Sequence, residues 1–170
     1  VTVAVPVFAG RPDLRAGRMS WLALMRPDNQ SVLLLVHIVG ATVMVGGLLT
    51  GASLLAFARG SVGLLRLGYW TLLAVALPAY VVMRIGAELL AEEQGWNDEG
   101  VPSQTWLDIG YIVADLGALL LLISLVVGGI GVYRLREGKG QGLLKATMVI
   151  ALIILAAATV AVWAMAGKPD

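Results

Sequence analysis

The sequence predicts an all-α integral membrane protein, an antiparallel bundle of four transmembrane helices. Of its 170 residues, 59% are hydrophobic and 14% are charged, whereas a soluble domain is about half apolar and about one quarter charged. The apolar residues form four blocks, at residues 31–57, 67–90, 106–132 and 143–166. Each block exceeds the roughly 20 residues that cross a bilayer. Because lipid offers the backbone no hydrogen-bond partners, each block should be a helix.

The first thirty residues differ from the rest of the chain. Three prolines and four arginines interrupt this segment, which predicts an N-terminal tail over residues 1–30. Within the tail, the stretch MSWLALM begins at Met19 and ends before Arg26. Its apolar residues and its tryptophan predict a short helix at the membrane interface, where aromatic side chains gather. Residues 31–170 then form the transmembrane domain.

The charges of the three loops predict the orientation in the membrane. The loop after the first block has two arginines and no acid, and the loop after the third block has four basic residues and one acid. The loop after the second block has four acids and no base. Because basic loops stay in the cytoplasm, we expect a multi-pass protein of the bacterial inner (plasma) membrane with both termini outside. The arginine-rich tail favours the opposite orientation, but the two short loops agree and outweigh it.

Ionisable and tyrosine side chains fall in the outer half of the predicted bundle, where an isolated charge is costly and usually finds a partner. On the second and third helices they recur at spacings of three and four residues, so that they share one face of each helix. We therefore predict an outward-facing polar cluster with Arg84 and Asp115 as its deepest pair. This pair is either a structural clamp or part of a working site. The cluster comprises His37, Tyr80, Arg84, Glu88, Asp108, Tyr111 and Asp115.

The only histidine of the chain, His37, has several roles open to it. It could bind haem b or copper, with Met83 or Met165 as a second ligand, because both metals accept imidazole and thioether groups. It could relay protons near neutral pH. It could also be a packed histidine that is hydrogen-bonded to Asp115 or Tyr111. No complete ligand set is present, so no cofactor is expected.

Several classes of function are excluded or disfavoured by composition and motifs. The chain has no cysteine, which excludes disulfides, zinc thiolate sites, iron–sulfur clusters and thiol catalysis. Its net charge of +1 gives no reason to expect nucleic acid as a partner. No phosphate-binding loop after a strand, nucleophile elbow or HExxH motif is present. The lipid bilayer is the one partner that the sequence predicts directly.

Two further features concern the packing of the helices. Gly47 and Gly51 lie four residues apart on the first helix, a spacing that favours close helix contact. The contact could be made within the bundle or in a homodimer. Pro78 lies in the second helix and predicts a kink there, because proline removes a backbone hydrogen bond.

Three stretches resemble a group of bacterial four-helix integral membrane proteins without an assigned activity. They are VHIVGATVMVGGLL, LPAYVVMRIGAELL and TWLDIGYIVADLGALLLL. This resemblance covers residues 31–167 and implies the same four-helix membrane fold. The first helix also resembles, more distantly, the membrane proteins of the copper-resistance D type. The further histidines and helices of that type are missing, so copper transport does not carry over.

Three functions of different classes follow from these observations. The first is a non-enzymatic membrane protein, such as a small carrier or the accessory subunit of a membrane complex. Its polar cluster would be structural or would bind a small polar solute. The second is a haem- or quinone-binding protein of electron transfer. The third is a proton- or ion-conducting element.

Overall fold

The computed structural model describes residues 29–96 and 104–167, and it contains four helices that are long and apolar enough to cross a membrane. They are α1 (Asn29–Phe57), α2 (Val62–Glu93), α3 (Thr105–Arg134) and α4 (Gln141–Gly167). The all-α four-helix bundle predicted from the sequence is therefore confirmed. The predicted tail and its interfacial helix lie outside the described residues, except for the two residues that begin α1.

Tight turns join the helices in two places. Ser61 caps the start of α2, where its Oγ accepts a hydrogen bond from the backbone N–H of Leu64 at 3.5 Å. This cap explains why α2 begins five residues before the predicted block at residues 67–90. After α3, a 3₁₀ turn ends at Gly138, whose φ of 70° is left-handed and suits glycine. Such short connections make the joined helices antiparallel.

Glycines let α1 and α2 approach until their backbones touch. A Cβ atom added to Gly40 would lie 2.6 Å from the backbone nitrogen of Met83, and one added to Gly86 would lie 3.0 Å from that of His37. Residue numbers rise along α1 as they fall along α2 at these contacts, so the two helices are antiparallel. The register of α1 on α2 is thereby fixed in the half of the bundle next to the connection from α2 to α3. We call this half the outer half and the opposite half the inner half, and the polar residues lie in the outer half.

The same contact continues into the inner half. A Cβ atom on Gly47 would lie 3.1 Å from the backbone nitrogen of Ala76, and one on Gly51 would lie 2.6 Å from the side chain of Leu72. Gly46, by contrast, has nothing within 4 Å of its added Cβ atom and faces outward. Gly47 and Gly51 therefore serve packing within the chain, and they give no support to a homodimer face.

The second helix passes through Pro78 without ending. Immediately before the proline, Leu72–Ala76 form a π-helical turn, in which the backbone N–H of Leu77 bonds to the carbonyl of Leu72. A proline ring clashes with the carbonyl four residues earlier, and a π turn is a common way for a helix to absorb such an irregularity. The predicted disturbance at Pro78 thus takes the form of a wider helical turn.

The helices do not pack evenly around the bundle. Helix α1 packs against α2 and α4, and α3 packs against α4 along its length, whereas the outer part of α2, Leu77–Glu93, makes little contact with α3. The most deeply buried large apolar side chains fill the centre and the inner half: Leu48, Leu72, Leu121 and Leu144. A gap therefore remains between α2 and α3 in the outer half.

The surface that surrounds the bundle is apolar. Large hydrophobic side chains such as Leu35, Leu119 and Val126 are more than half exposed, and only 22–28% of each spanning window is buried inside the protein. A water-soluble monomer rarely exposes so much contiguous apolar surface. The chain is a multi-pass membrane protein, and these side chains face lipid.

Candidate functional site

A cavity of about 390 Å³ occupies the outer half of the bundle, in the gap between α2 and α3. All four helices contribute to its wall. Its floor includes the buried side chains of Met44, Leu121 and Ile154. Cavities of about 300–1,000 Å³ are typical of small-molecule sites. The sequence did not predict this cavity, because the cavity depends on the unequal spacing of the four helices.

The guanidinium of Arg84 is the electrostatic centre of the site. Its Nη2 atom lies 2.9 Å from Glu88 Oε1 on the same helix and 3.0 Å from Asp115 Oδ1 on α3. The arginine side chain is 26% exposed, against 66% for Asp115. One cation therefore faces two carboxylates, and the second of these ion pairs crosses the gap between α2 and α3.

Two tyrosines add further contacts across the same gap. The hydroxyl of Tyr80 on α2 donates a hydrogen bond to the carbonyl of Ala114 on α3 at 3.2 Å. The guanidinium carbon of Arg84 lies 5.0 Å from the centre of the Tyr111 ring, a distance at which a cation is attracted to an aromatic face. Both tyrosines and Arg84 line the cavity. Polar side chains thus bridge two helices whose backbones remain apart.

His37 lines the cavity, but its hydrogen bond differs from the expected ones. Its Nδ1 atom lies 3.0 Å from the backbone carbonyl of Met83 on α2. For this nitrogen, the predicted hydrogen bond to Asp115 or Tyr111 is therefore wrong. The close approach of the two backbones at Gly86 brings the imidazole to this carbonyl. Because a carbonyl only accepts, Nδ1 carries a proton, and Nε2 of a neutral ring keeps its lone pair.

The two methionines proposed as partners of His37 also line the cavity. Met165 on α4 packs against Gly110 on α3, and Met83 holds the histidine through its backbone carbonyl. Among the described residues, no group of three or more His, Asp or Glu side chains could hold a metal ion. What the cavity offers a metal or haem iron is one imidazole nitrogen and three thioethers, those of Met44, Met83 and Met165.

The remaining members of the predicted cluster lie nearer the outer end. Glu88 is 40% exposed at its side chain and bonds to Arg84. Asp108 is exposed in the first turn of α3, away from the bridging contacts. Trp96 and Trp106 pack edge to face with ring centres 5.1 Å apart. Both tryptophans line the cavity, and their positions beside the acidic loop were the one sequence signal for this role.

Below the cavity the bundle is closed by apolar packing. In the part of the chain that the structure describes, Ser124 and Thr147 are the two buried polar side chains, and Thr147 Oγ1 lies 3.3 Å from the carbonyl of Ser124. The other deeply buried large side chains of this region are leucines. The cavity therefore ends at a layer of mostly apolar side chains.

Comparison with known proteins returned no relatives. No protein-family model matches the chain, and no curated protein or solved structure is significantly similar to it.

Proposed function

We propose that the protein is a non-enzymatic membrane protein that binds a small molecule in the cavity between α2 and α3. The observation that carries this proposal is the cavity itself, which is large enough for a ligand and has the polar cluster on its wall. Most of the wall is apolar, and Arg84, Tyr80 and Tyr111 supply polar groups on one side. Such a wall favours a molecule with an apolar body and one polar group over a small polar solute.

The open side of the cavity supports access from the bilayer. Between α2 and α3 the outer half is spanned by side chains rather than by close backbone packing. The bridges from Arg84 to Asp115 and from Tyr80 to Ala114 can separate without unfolding either helix. In this proposal the Arg84–Asp115 pair has two roles, because it holds α2 and α3 together and it borders the ligand.

We also propose that the cavity lies on the outer side of the bacterial inner membrane. Support comes from the two short turns, which place exposed basic side chains at one end of the bundle, whereas Glu92, Glu93 and Asp108 are exposed at the other end. Basic turns are retained in the cytoplasm, which puts the cavity and both termini outside. The basic side chains of the two turns and their flanks are Arg59, Arg66, Arg134, Arg136, Lys139 and Lys145.

A fluorescent probe tests whether the cavity binds small molecules. The uncharged, largely apolar fluorophore 1-aminoanthracene is titrated into the purified protein in dodecyl maltoside, and the signal from empty micelles is subtracted. Gly117 lines the cavity and has nothing within 4 Å of an added Cβ atom, so Gly117→Phe should fill the cavity without a backbone clash. Gly46→Phe is the matched control, because Gly46 is equally unobstructed but faces lipid.

The proposal predicts saturable binding to the wild-type protein and to Gly46→Phe, and loss of that binding in Gly117→Phe. Both variants lose a helical glycine and gain the same side chain, so differences of helix propensity cancel. Equal binding by all three proteins would contradict the proposal, because the probe would then be reporting the micelle or the lipid-facing surface.

A further inference from the structure

From the hydrogen-bond donors of Arg84 and the two carboxylates paired with it, we infer the class of molecule that the cavity accepts. It is an uncharged molecule with an apolar body and a carbonyl oxygen, such as a quinone or another cyclic ketone. This inference rests on the proposed binding function and makes it more specific. It depends on the side of the guanidinium that faces the cavity and on the charge that surrounds it.

Hydrogen bonding by Arg84 favours a ligand that carries an acceptor oxygen. Both ion pairs of Arg84, to Glu88 and to Asp115, use the same nitrogen, Nη2. A guanidinium carries five N–H donors on three nitrogens, so these two contacts leave further donors of Arg84 for a ligand. Arg84 lines the cavity, whereas neither of its two carboxylate partners does. A ligand in the cavity consequently meets donors of the guanidinium, and it needs an acceptor oxygen to bind them.

The net charge around Arg84 disfavours an anionic ligand. Arg84 is paired with two carboxylates, so the group as a whole carries one negative charge in excess. A carboxylate or phosphate on the ligand would bring a third negative charge to a single cation in a poorly polarisable environment. A carbonyl oxygen accepts the same hydrogen bonds without this repulsion. The site therefore offers the donors of an arginine while disfavouring an anion.

Other residues of the wall offer an acceptor nitrogen and aromatic faces. Because the Met83 carbonyl accepts from Nδ1 of His37, a neutral His37 presents no N–H at Nε2, only a lone pair. The aromatic rings of Trp96 and Trp106 meet edge to face at 5.1 Å and line the same cavity, which suits the flat face of a ring compound. The wall thus combines ring-stacking surfaces, an acceptor nitrogen of His37 and the guanidinium donors of Arg84.

Three naphthalene compounds of nearly equal size test the inference. They are menadione, which carries two carbonyl oxygens, 2-methylnaphthalene, which carries none, and 2-naphthoate, which is an anion. Binding of each is measured by equilibrium dialysis against the protein in dodecyl maltoside, a detergent without a carbonyl group, and binding to empty micelles is subtracted. Because the chain has no cysteine, menadione has no thiol to modify.

The inference predicts that menadione binds about tenfold more tightly than 2-methylnaphthalene, the effect of one hydrogen bond to a charged donor, and that 2-naphthoate binds no better than 2-methylnaphthalene. Arg84→Lys keeps the cation but loses the planar fork of donors, and it should remove the advantage of menadione. Glu88→Gln removes the excess negative charge, and it should strengthen binding of 2-naphthoate while changing that of menadione less than about twofold.

Equal binding of menadione and 2-methylnaphthalene, or tightest binding of 2-naphthoate, would overturn the inference. If 1-aminoanthracene still distinguishes Gly117→Phe from Gly46→Phe in that case, the proposed binding function stands and only the ligand class is wrong. If none of the compounds binds saturably, both are wrong. Circular dichroism of each variant verifies that it retains the helical content of the wild-type protein.

Discussion

Arg84 should contribute more to the stability of the bundle than any other polar residue of the cluster. Its hydrogen-bonded ion pair with Asp115, at 3.0 Å, falls in the class worth about 1.5–3 kcal/mol. The pair with Glu88 at 2.9 Å has the i, i+4 geometry worth about 0.3–0.5 kcal/mol. Because Asp115 is 66% exposed at its side chain, the lower part of the first range applies. Arg84→Ala should therefore lower the free energy of unfolding by about 2 kcal/mol.

His37→Ala provides the internal comparison. The imidazole of His37 forms a hydrogen bond of 3.0 Å with the carbonyl of Met83, and such a bond contributes about 1 kcal/mol. In His37→Ala, the carbonyl of Met83 can still accept the backbone hydrogen bond of its own helix. We therefore expect Arg84→Ala to be the more destabilising of the two substitutions, by about 1 kcal/mol.

Equilibrium unfolding in mixed micelles of dodecyl maltoside and SDS, followed by circular dichroism, measures these differences. A double-mutant cycle with Arg84→Ala and Asp115→Ala isolates the pair, and its coupling energy should be at least about 1 kcal/mol. The reasoning would be refuted if Arg84→Ala were as stable as the wild-type protein, or if the effects of the two substitutions were simply additive.

Three further predictions follow from the fold. Gly40→Ala should destabilise the bundle by about 1–3 kcal/mol, because its Cβ atom would meet the backbone of Met83 at 2.6 Å, whereas Gly46→Ala should be neutral or slightly stabilising in the same unfolding assay. In intact cells, a membrane-impermeant maleimide should label Glu93→Cys and spare Lys139→Cys, and the reverse pattern would overturn the orientation. The purified protein should have no Soret band in its visible spectrum, oxidised or reduced with dithionite, and a band lost on substitution of the histidine would instead establish a haem protein.

The four-helix fold could be predicted from the sequence because each helix can be recognised from its own segment alone. A run of more than 20 apolar residues in lipid has to be a helix, and this requirement does not depend on its neighbours. The helix faces that carry Arg84 and Asp115 could be predicted in the same way, because residues spaced three or four apart lie on one face of a helix. The antiparallel order of α2 and α3 then brings these two side chains to the same depth.

What the sequence could not supply was the distance between helices. Gly40 and Gly86 draw α1 and α2 into backbone contact, and this contact moves His37 to the Met83 carbonyl rather than to a side chain of α3. Because α2 packs closely against α1, it lies apart from α3, and the cavity occupies the gap between α2 and α3. The pairing of Trp96 with Trp106 likewise depends on how far apart the two helix ends lie.

The central claim is that a small molecule occupies the cavity beside Arg84, and chemical protection tests it most directly. Single-cysteine variants Gly117→Cys and Gly46→Cys are treated with N-ethylmaleimide in dodecyl maltoside, with and without saturating 1-aminoanthracene, and the rate of modification is followed by mass spectrometry. The account predicts that the probe slows modification of Gly117→Cys and leaves that of Gly46→Cys unchanged. The same rate for Gly117→Cys with and without the probe would show that the cavity is not the binding site.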